Sequence, residues 1–161
     1  MAMESTGSDL NDTLGEPKSE FLSFRVGDNE YSVNIMSVRE IRGWTQTTSL
    51  PKAPKFVRGV INLRGIVLPV VDLALRLGLE SSEPQERNVI IVIDVDGKTL
   101  GLRVDAVSDI LSISEDQMQS PPEVGGNATP NFVSALTLID DRMVRILDLS
   151  LVLPVSEEIA A

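Results

Sequence analysis

The 161-residue chain contains no cysteine and no histidine. Without cysteine there are no disulfides, no thiolate zinc sites and no cysteine nucleophile. Without histidine the commonest general base, the commonest metal ligand and any phosphohistidine role are missing. Most familiar catalytic arrangements go with these two absences, and no cofactor is expected. Aromatic residues are scarce: one Trp, one Tyr and four Phe. A core must therefore be built from Val, Ile and Leu, which favour pleated sheets. No stretch approaches the ~20 apolar residues of a membrane-crossing helix. The start, MAMESTGSDLNDTLGEPKSE, is acidic and lacks the apolar heart of a signal peptide. A cytoplasmic location without direct membrane insertion is the expectation. Residues 1–19 are polar and aperiodic, and read as a disordered tail.

The net charge is −10, which disfavours nonspecific binding to nucleic acid. The charge is uneven. Residues 39–64 hold six basic residues and one acid, while residues 80–126 hold ten acids and three basic residues. The first segment is either an ordinary solvated surface or a basic face for an acidic partner.

The apolar pattern has a plan, and the plan occurs twice. Leu22, Phe24 and Val26 alternate with Ser23 and Arg25, a Gly-Asp-Asn turn follows, and Tyr31, Val33 and Ile35 alternate again. This predicts a β-hairpin with one buried face. With an offset of 69 residues the same positions are Ile91, Ile93, Val95, Leu100, Leu102 and Val104, around Asp96-Gly97. Val38 and Ile41 map onto Val107 and Ile110. A second block repeats with an offset of 76: Phe56-Val57 with Phe132-Val133, and Val70-Val71-Asp72-Leu73 with Ile146-Leu147-Asp148-Leu149. The longer loop at 119–131 accounts for the difference. Both blocks recur in order, so an internal duplication is the better reading. Each copy offers four or five short strands and a brief helix, at 72–79 and 148–154, opened by an aspartate N-cap. So few strands cannot make an independent sandwich. A small closed barrel removes sheet edges, and two such barrels packed together are predicted. The division is 20–80 and 88–154, with a polar connector at 81–87 and a C-terminal tail at 155–161. These bounds are approximate, and exchange of strands between the units stays open.

A duplication is its own control: what both copies share belongs to the fold. The first copy turns with Asn62-Leu63-Arg64-Gly65, the second with Leu138-Ile139-Asp140-Asp141. The turn itself does not demand Arg64, and Gly65 is placed to supply a positive φ.

The segments YSVNIMSVREIRGW, FVRGVINLRGIVLPVVDL and VIIVIDVDGKTLGLRVDAVSDIL resemble the CheW family of bacterial chemotaxis coupling proteins. The likeness runs from about residue 20 to 153. It implies an all-β fold of two small SH3-like five-stranded barrels around a shared core, with short helices. It also implies a non-enzymatic scaffold that binds two partners. One is the regulatory domain of a CheA-type histidine kinase, the other the cytoplasmic tip of chemoreceptors. The resemblance leaves room for self-association in membrane-associated arrays. Within it, the alternative is a coupling protein for a pilus or another chemosensory-like pathway.

Residue by residue, Glu40 and Arg64 match a facing Glu and Arg of the family. Val38, Ile41 and Arg42 lie in the same first motif, and Ile41 matches a position used against the kinase. Gly59, Asn62 and Gly65 flank the arginine. Val89 and Val107 match positions of receptor or kinase contact. On spacing alone Val38, Ile41, Val89 and Val107 read as core, and the glycines as backbone requirements. Two rival classes are weaker. Asp94 with Asp96, or Asp105 with Asp109, would be the carboxylate pair of an enzyme, but they read as solvated turn and strand residues. A nucleic-acid-binding barrel would have only Trp44 and Phe56 for stacking near the basic segment.

Overall fold

The structure is a computed structural model that describes residues 17–81, 83–121 and 132–152. The expected N-terminal tail lies outside them as far as residue 16. So do the C-terminal tail and most of the loop at 119–131.

The first repeat supplies β1 (Lys18–Val26), β2 (Asn29–Asn34), β3 (Val38–Gly43), β4 (Val57–Leu63), β5 (Ile66–Asp72) and the one-turn helix α1 (Leu73–Arg76). The second supplies β6 (Val89–Val95), β7 (Lys98–Val104), β8 (Ala106–Ser114), β9 (Val133–Ile139), β10 (Arg142–Leu147) and α2 (Leu149–Val152). The segment after β2 is a short 3-10 turn running straight into β3. Two five-stranded mixed sheets result, in the orders β8-β1-β2-β10-β9 and β3-β6-β7-β5-β4. Each sheet combines the leading hairpin of one repeat with three strands of the other. The parallel pairs β2 with β10 and β5 with β7 join the repeats, as do the antiparallel pairs β1 with β8 and β3 with β6.

The predicted closure into SH3-like barrels is wrong: both sheets are open. Strands β8 and β9 are the edges of the first sheet, and β3 and β4 of the second. Between the facing edges the backbone pairing among the described residues is one isolated antiparallel bridge each, Thr48 with Val60 and Gln119 with Leu136. After β3 the chain reaches β4 through two backbone bonds, Thr48 N to Val60 O at 2.9 Å and Val60 N to Thr48 O at 2.8 Å. Pro51 and Pro54 follow, and proline cannot donate to a ladder. Pro121 stands equivalently just beyond Gln119.

Three apolar clusters hold the sheets. The largest lies between them and includes Leu22, Phe24, Val33, Val71, Leu73, Ile91, Ile93, Leu102, Leu147 and Leu149. The other faces of β1 and β6 point into a small core within each curved sheet. The first sheet wraps Phe21, Leu111, Ile113, Val144 and Ile146. The second wraps Ile61, Leu63, Leu68, Val70, Ile90 and Val92, with Trp44 against them. Leading strands are therefore buried on both faces, and Ser23, read as solvent-facing, is fully buried. Its hydroxyl donates to the buried Glu30 at 2.8 Å. Near where the two helices meet, the Arg76 guanidinium lies over the repeat-equivalent rings of Phe56 and Phe132. Its Nε donates to Val152 O at 2.7 Å, satisfying a carbonyl at the end of α2.

Candidate functional site

The hairpin β4–β5 turns through Arg64 and Gly65, with φ of 52° and 85°. Leu63 and Ile66 are paired across it. Two positive φ values in a two-residue loop define a type I′ turn, where Asn, Asp and Gly are favoured. A long side chain in the left-handed region is uncommon and strained. The Asn62 side chain steadies the turn by accepting from Gly65 N at 2.9 Å. Nothing would crowd a Cβ at Gly65, so its requirement is conformational. Gly59 answers to space as well. Its φ is 138°, and a Cβ there would lie 2.3 Å from Thr48 O. The bridge across the gap between the sheet edges needs this glycine.

Strand β3 pairs with β6, with a bulge between Val38 and Glu40. After the bulge Glu40 and Arg42 stand opposite Val92 and Ile90, on the face that covers the inner core of the second sheet. They sit at the rim of that core, half-buried. Arg64 reaches Glu40 from the opposite edge of the sheet, donating from Nη2 to Oε1. Arg42 Nη1 donates to the other carboxylate oxygen at 3.3 Å. One carboxylate thus holds two arginines, Arg42 on its own strand and Arg64 from across the open gap. The bond from Arg64 is the main cause that holds the Glu40 carboxyl below the usual carboxylate range; partial burial opposes it and Arg42 adds to it. The same bond raises Arg64 above the ordinary arginine value.

Of the remaining sequence candidates, Val38, Val89 and Val107 are half-buried and pack on the inter-sheet core. Ile41 does not: it is 47 % exposed. Its register partner Ile91 is buried in the inter-sheet core, but β3 is an edge strand and the opposing sheet does not reach it. The repeat equivalent Ile110, opposite buried Leu22, is 59 % exposed for the same reason. Beside the clamp, Ile66 and Val67 add a further exposed apolar surface. The structure therefore gathers Glu40, Arg42, Asn62, Arg64 and Gly65 at one rim. Ile41 stands on the other face of β3, and Val38, Val89 and Val107 lie under the surface.

The basic segment is mostly neutralised from within. Arg39 faces Asp94 at 3.6 Å, Arg58 faces Asp72 at 2.7 Å, and Arg42 and Arg64 share Glu40. Only Lys52 and Lys55 have no ion pair among the described residues. The Asp72 network escaped the sequence reading, which saw only a helix cap. The cap is real, since Asp72 Oδ1 accepts from Ala74 N at 3.1 Å. Its Oδ2 also receives Arg58 Nε at 2.8 Å, Arg103 Nη1 at 3.1 Å and Ser81 Oγ at 2.7 Å. Arg103 continues to Asn88 Oδ1 at 2.8 Å. This ties the connector to both repeats. The signal was present in the duplication, because Arg58 and Arg103 correspond to Ser134 and Asn34.

Residues 20–157 match the family model described as a CheW-like domain. A probable chemotaxis protein CheW of Rhizobium etli is 46% identical over 149 residues, covering 92% of this chain and 96% of that protein. The chemotaxis protein CheW of Rhizobium meliloti is 49% identical over 142 residues, covering 88% and 92%. Among solved structures, the scaffolding protein TtCheW of Thermoanaerobacter tengcongensis superposes with a TM-score of 0.78 at 31% identity, over 88% of this chain and 97% of that one. With two exchanged five-stranded sheets, a carboxylate that holds an arginine from across the gap in one of them, and relatives that match over nearly the whole chain, the chain belongs to the CheW-like family of non-catalytic chemotaxis adaptors.

Proposed function

We propose that the coupling surface of this chain is the Glu40–Arg42–Arg64 clamp together with the exposed apolar residues around the rim. The chain is a non-enzymatic scaffold that couples chemoreceptors to the histidine kinase CheA. The observation that carries the surface assignment is the backbone of Arg64. An arginine occupies a left-handed turn position where the second repeat uses aspartate, and its partner is a carboxylate on the far edge of the sheet. A residue kept against local preference and held by a clamp is a candidate for function. The clamp fixes the β4–β5 hairpin, which presents Ile66 and Val67, against β3, which presents Ile41. Ile41 serves the kinase regulatory domain. Val38, Val89 and Val107 shape the receptor or kinase surface from beneath, while Gly59, Asn62 and Gly65 set the backbone that carries it. Family members are cytoplasmic and take part in membrane-associated arrays; recruitment of this chain to such arrays, by self-association and without insertion into the membrane, completes the reading.

The test is titration of the chain with an isolated receptor signalling tip and an isolated kinase regulatory domain. Ile41→Glu should weaken kinase-domain binding about tenfold or more, because it puts an uncompensated charge into an apolar contact. Arg64→Glu should impair coupling in the ternary complex, and the paired reversal with Glu40→Arg should restore part of it. Unchanged binding of both partners by Ile41→Glu and Arg64→Glu would remove the assignment.

A further inference from the structure

The two helix-opening aspartates are repeat equivalents in the same backbone setting. Asp72 N donates to Phe56 O at 2.6 Å, and Asp148 N to Phe132 O at 2.9 Å. Each Oδ1 accepts from the amide two residues on, Ala74 N at 3.1 Å and Ser150 N at 3.0 Å. They part at Oδ2. That of Asp72 takes two arginines and a serine. Around Asp148 the arginine positions hold Ser134 and Asn34, which line the same cleft but bond to other groups. Ser134 Oγ donates to Ile146 O at 3.3 Å, and Asn34 Oδ1 accepts from Met36 N at 2.9 Å. Oδ2 of Asp148 has no hydrogen-bond or ionic partner among the described residues. All 14 Lys and Arg of the chain are among those residues, so the other segments contain no basic side chain. Guanidinium groups cover the aspartate of the first repeat; that of the second lines a cleft whose apolar walls are Phe21, Val95, Met118 and Leu149. Asp96 adds a second carboxylate near it, within 3.5 Å of Ser150 Oγ.

We infer that this cleft binds an arginine side chain of a partner protein, presented in a segment with apolar residues beside it. The first repeat supplies the template: a guanidinium fork on the free oxygen of the capping aspartate. Arginine suits the site better than lysine, because its planar fork matches a carboxylate and its weaker hydration favours a partly buried setting. The apolar walls take its methylene stem and the flanking side chains.

The probe is acetyl-Leu-Arg-Leu-amide, titrated into the full chain and followed by backbone amide NMR, with the citrulline peptide as neutral isostere. Saturable shifts centred on Asn34, Ser134, Asp148 and Ser150 are expected, with affinity about tenfold lower for citrulline. Asp148→Asn should lower arginine-peptide affinity by a similar factor; asparagine caps a helix as well as aspartate, so this change removes charge and keeps the fold. Ser134→Arg, which installs the first repeat's guanidinium in the cleft, should abolish binding and raise the melting temperature. Absence of saturable shifts, equal affinity for the citrulline peptide, or undiminished binding to Ser134→Arg overturns the inference. So does a dimer of the free chain that Ser134→Arg dissolves, since that assigns the cleft to a second copy.

Discussion

At the β4–β5 turn the first repeat places Arg64 at φ 52°; at the β9–β10 turn the second places Asp140 at φ 50°. The backbone is the same and the side chain is not. The same contrast holds at the helix caps. Asp72 is fully buried under Arg58 and Arg103, whereas Asp148 is half-buried and faces no cation among the described residues. It holds at the sheet edges too, where Gly59 in the first repeat corresponds to Ala135 in the second. One fold plan has been fitted twice, and the charged locks at the first copy's turn and cap have no counterpart at the second copy's turn and cap among the described residues. Locks internal to the fold and clamps that shape a surface can be told apart by breaking each one beside its counterpart.

The largest contrast is expected at the caps. Asp72→Asn keeps the helix cap but leaves Arg103, 3 % exposed, without its main counter-charge. Removing one partner of a buried pair costs about 3–5 kcal/mol. Asp148→Asn should cost less than about 0.5 kcal/mol, as a surface change with the cap retained. Urea denaturation of the two variants measures the difference, and comparable losses would show that the arginines around Asp72 form no lock. Next comes the edge pair. Gly59→Ala drives a methyl to 2.3 Å from Thr48 O at a φ of 138°; a loss of about 1–3 kcal/mol is expected from the clash and the backbone conformation. Ala135→Gly should cost about 1 kcal/mol or less, from added chain entropy. A Gly59→Ala variant as stable as the parent would mean that the Thr48 segment moves away at no cost.

The third contrast is a pH effect at Glu40. Its folded carboxyl is held below the usual range, so it binds fewer protons folded than unfolded at mildly acid pH. The clamp's stabilisation is then complete above the unfolded glutamate value of about 4.3 and is lost as pH falls through the lower folded value. The gap in stability between the parent and Glu40→Gln should be constant near neutrality and shrink below about pH 4. A gap independent of pH down to acid unfolding would place the contribution in shape and not in charge. In the second repeat Asp109 stands at the position of Glu40 and carries no ion pair among the described residues.

Strand alternation and the two repeat offsets were enough to place the hairpins, the caps and the facing of Leu22, Phe24, Ile91 and Ile93. Local pattern encodes which face of a strand is apolar. It does not encode what covers that face, and this is why Ile41 reads as core yet stands, like its repeat match Ile110, on an uncovered edge. Closure was misjudged for a related reason. Pairing of the first strand's edge with the last depends on where the chain leaves the ladder, and residues 44–48 leave it for a single bridge before the prolines. The Glu40–Arg64 pair was legible because the second copy lacks the arginine and because the motifs resemble a known family. The Arg58–Asp72–Arg103 lock was equally visible in the offsets, but a cap is such a common use of aspartate that it hid the second oxygen's partners.

The smallest expected stability effect is at Arg64, and it separates the two kinds of charge most sharply. Arg64→Asn replaces a strained residue with one that a type I′ turn favours, while removing a partner that is largely solvent-exposed. Exposed pairs contribute little to stability. The turn gains roughly what the clamp loses, so the melting temperature should barely move. Coupling should fall nonetheless, because the hairpin carrying Ile66 and Val67 is no longer tied to β3. The informative readout is therefore kinase control by receptor in a reconstituted ternary complex, set beside the thermal melt of the same sample. A variant that melts like the parent and couples poorly marks Arg64 as a shaper of the docking surface. A variant that couples like the parent reduces Arg64 to a turn residue with an incidental partner. Asp140→Asn, the same exchange at the matching turn of the second repeat, should leave both readouts unchanged.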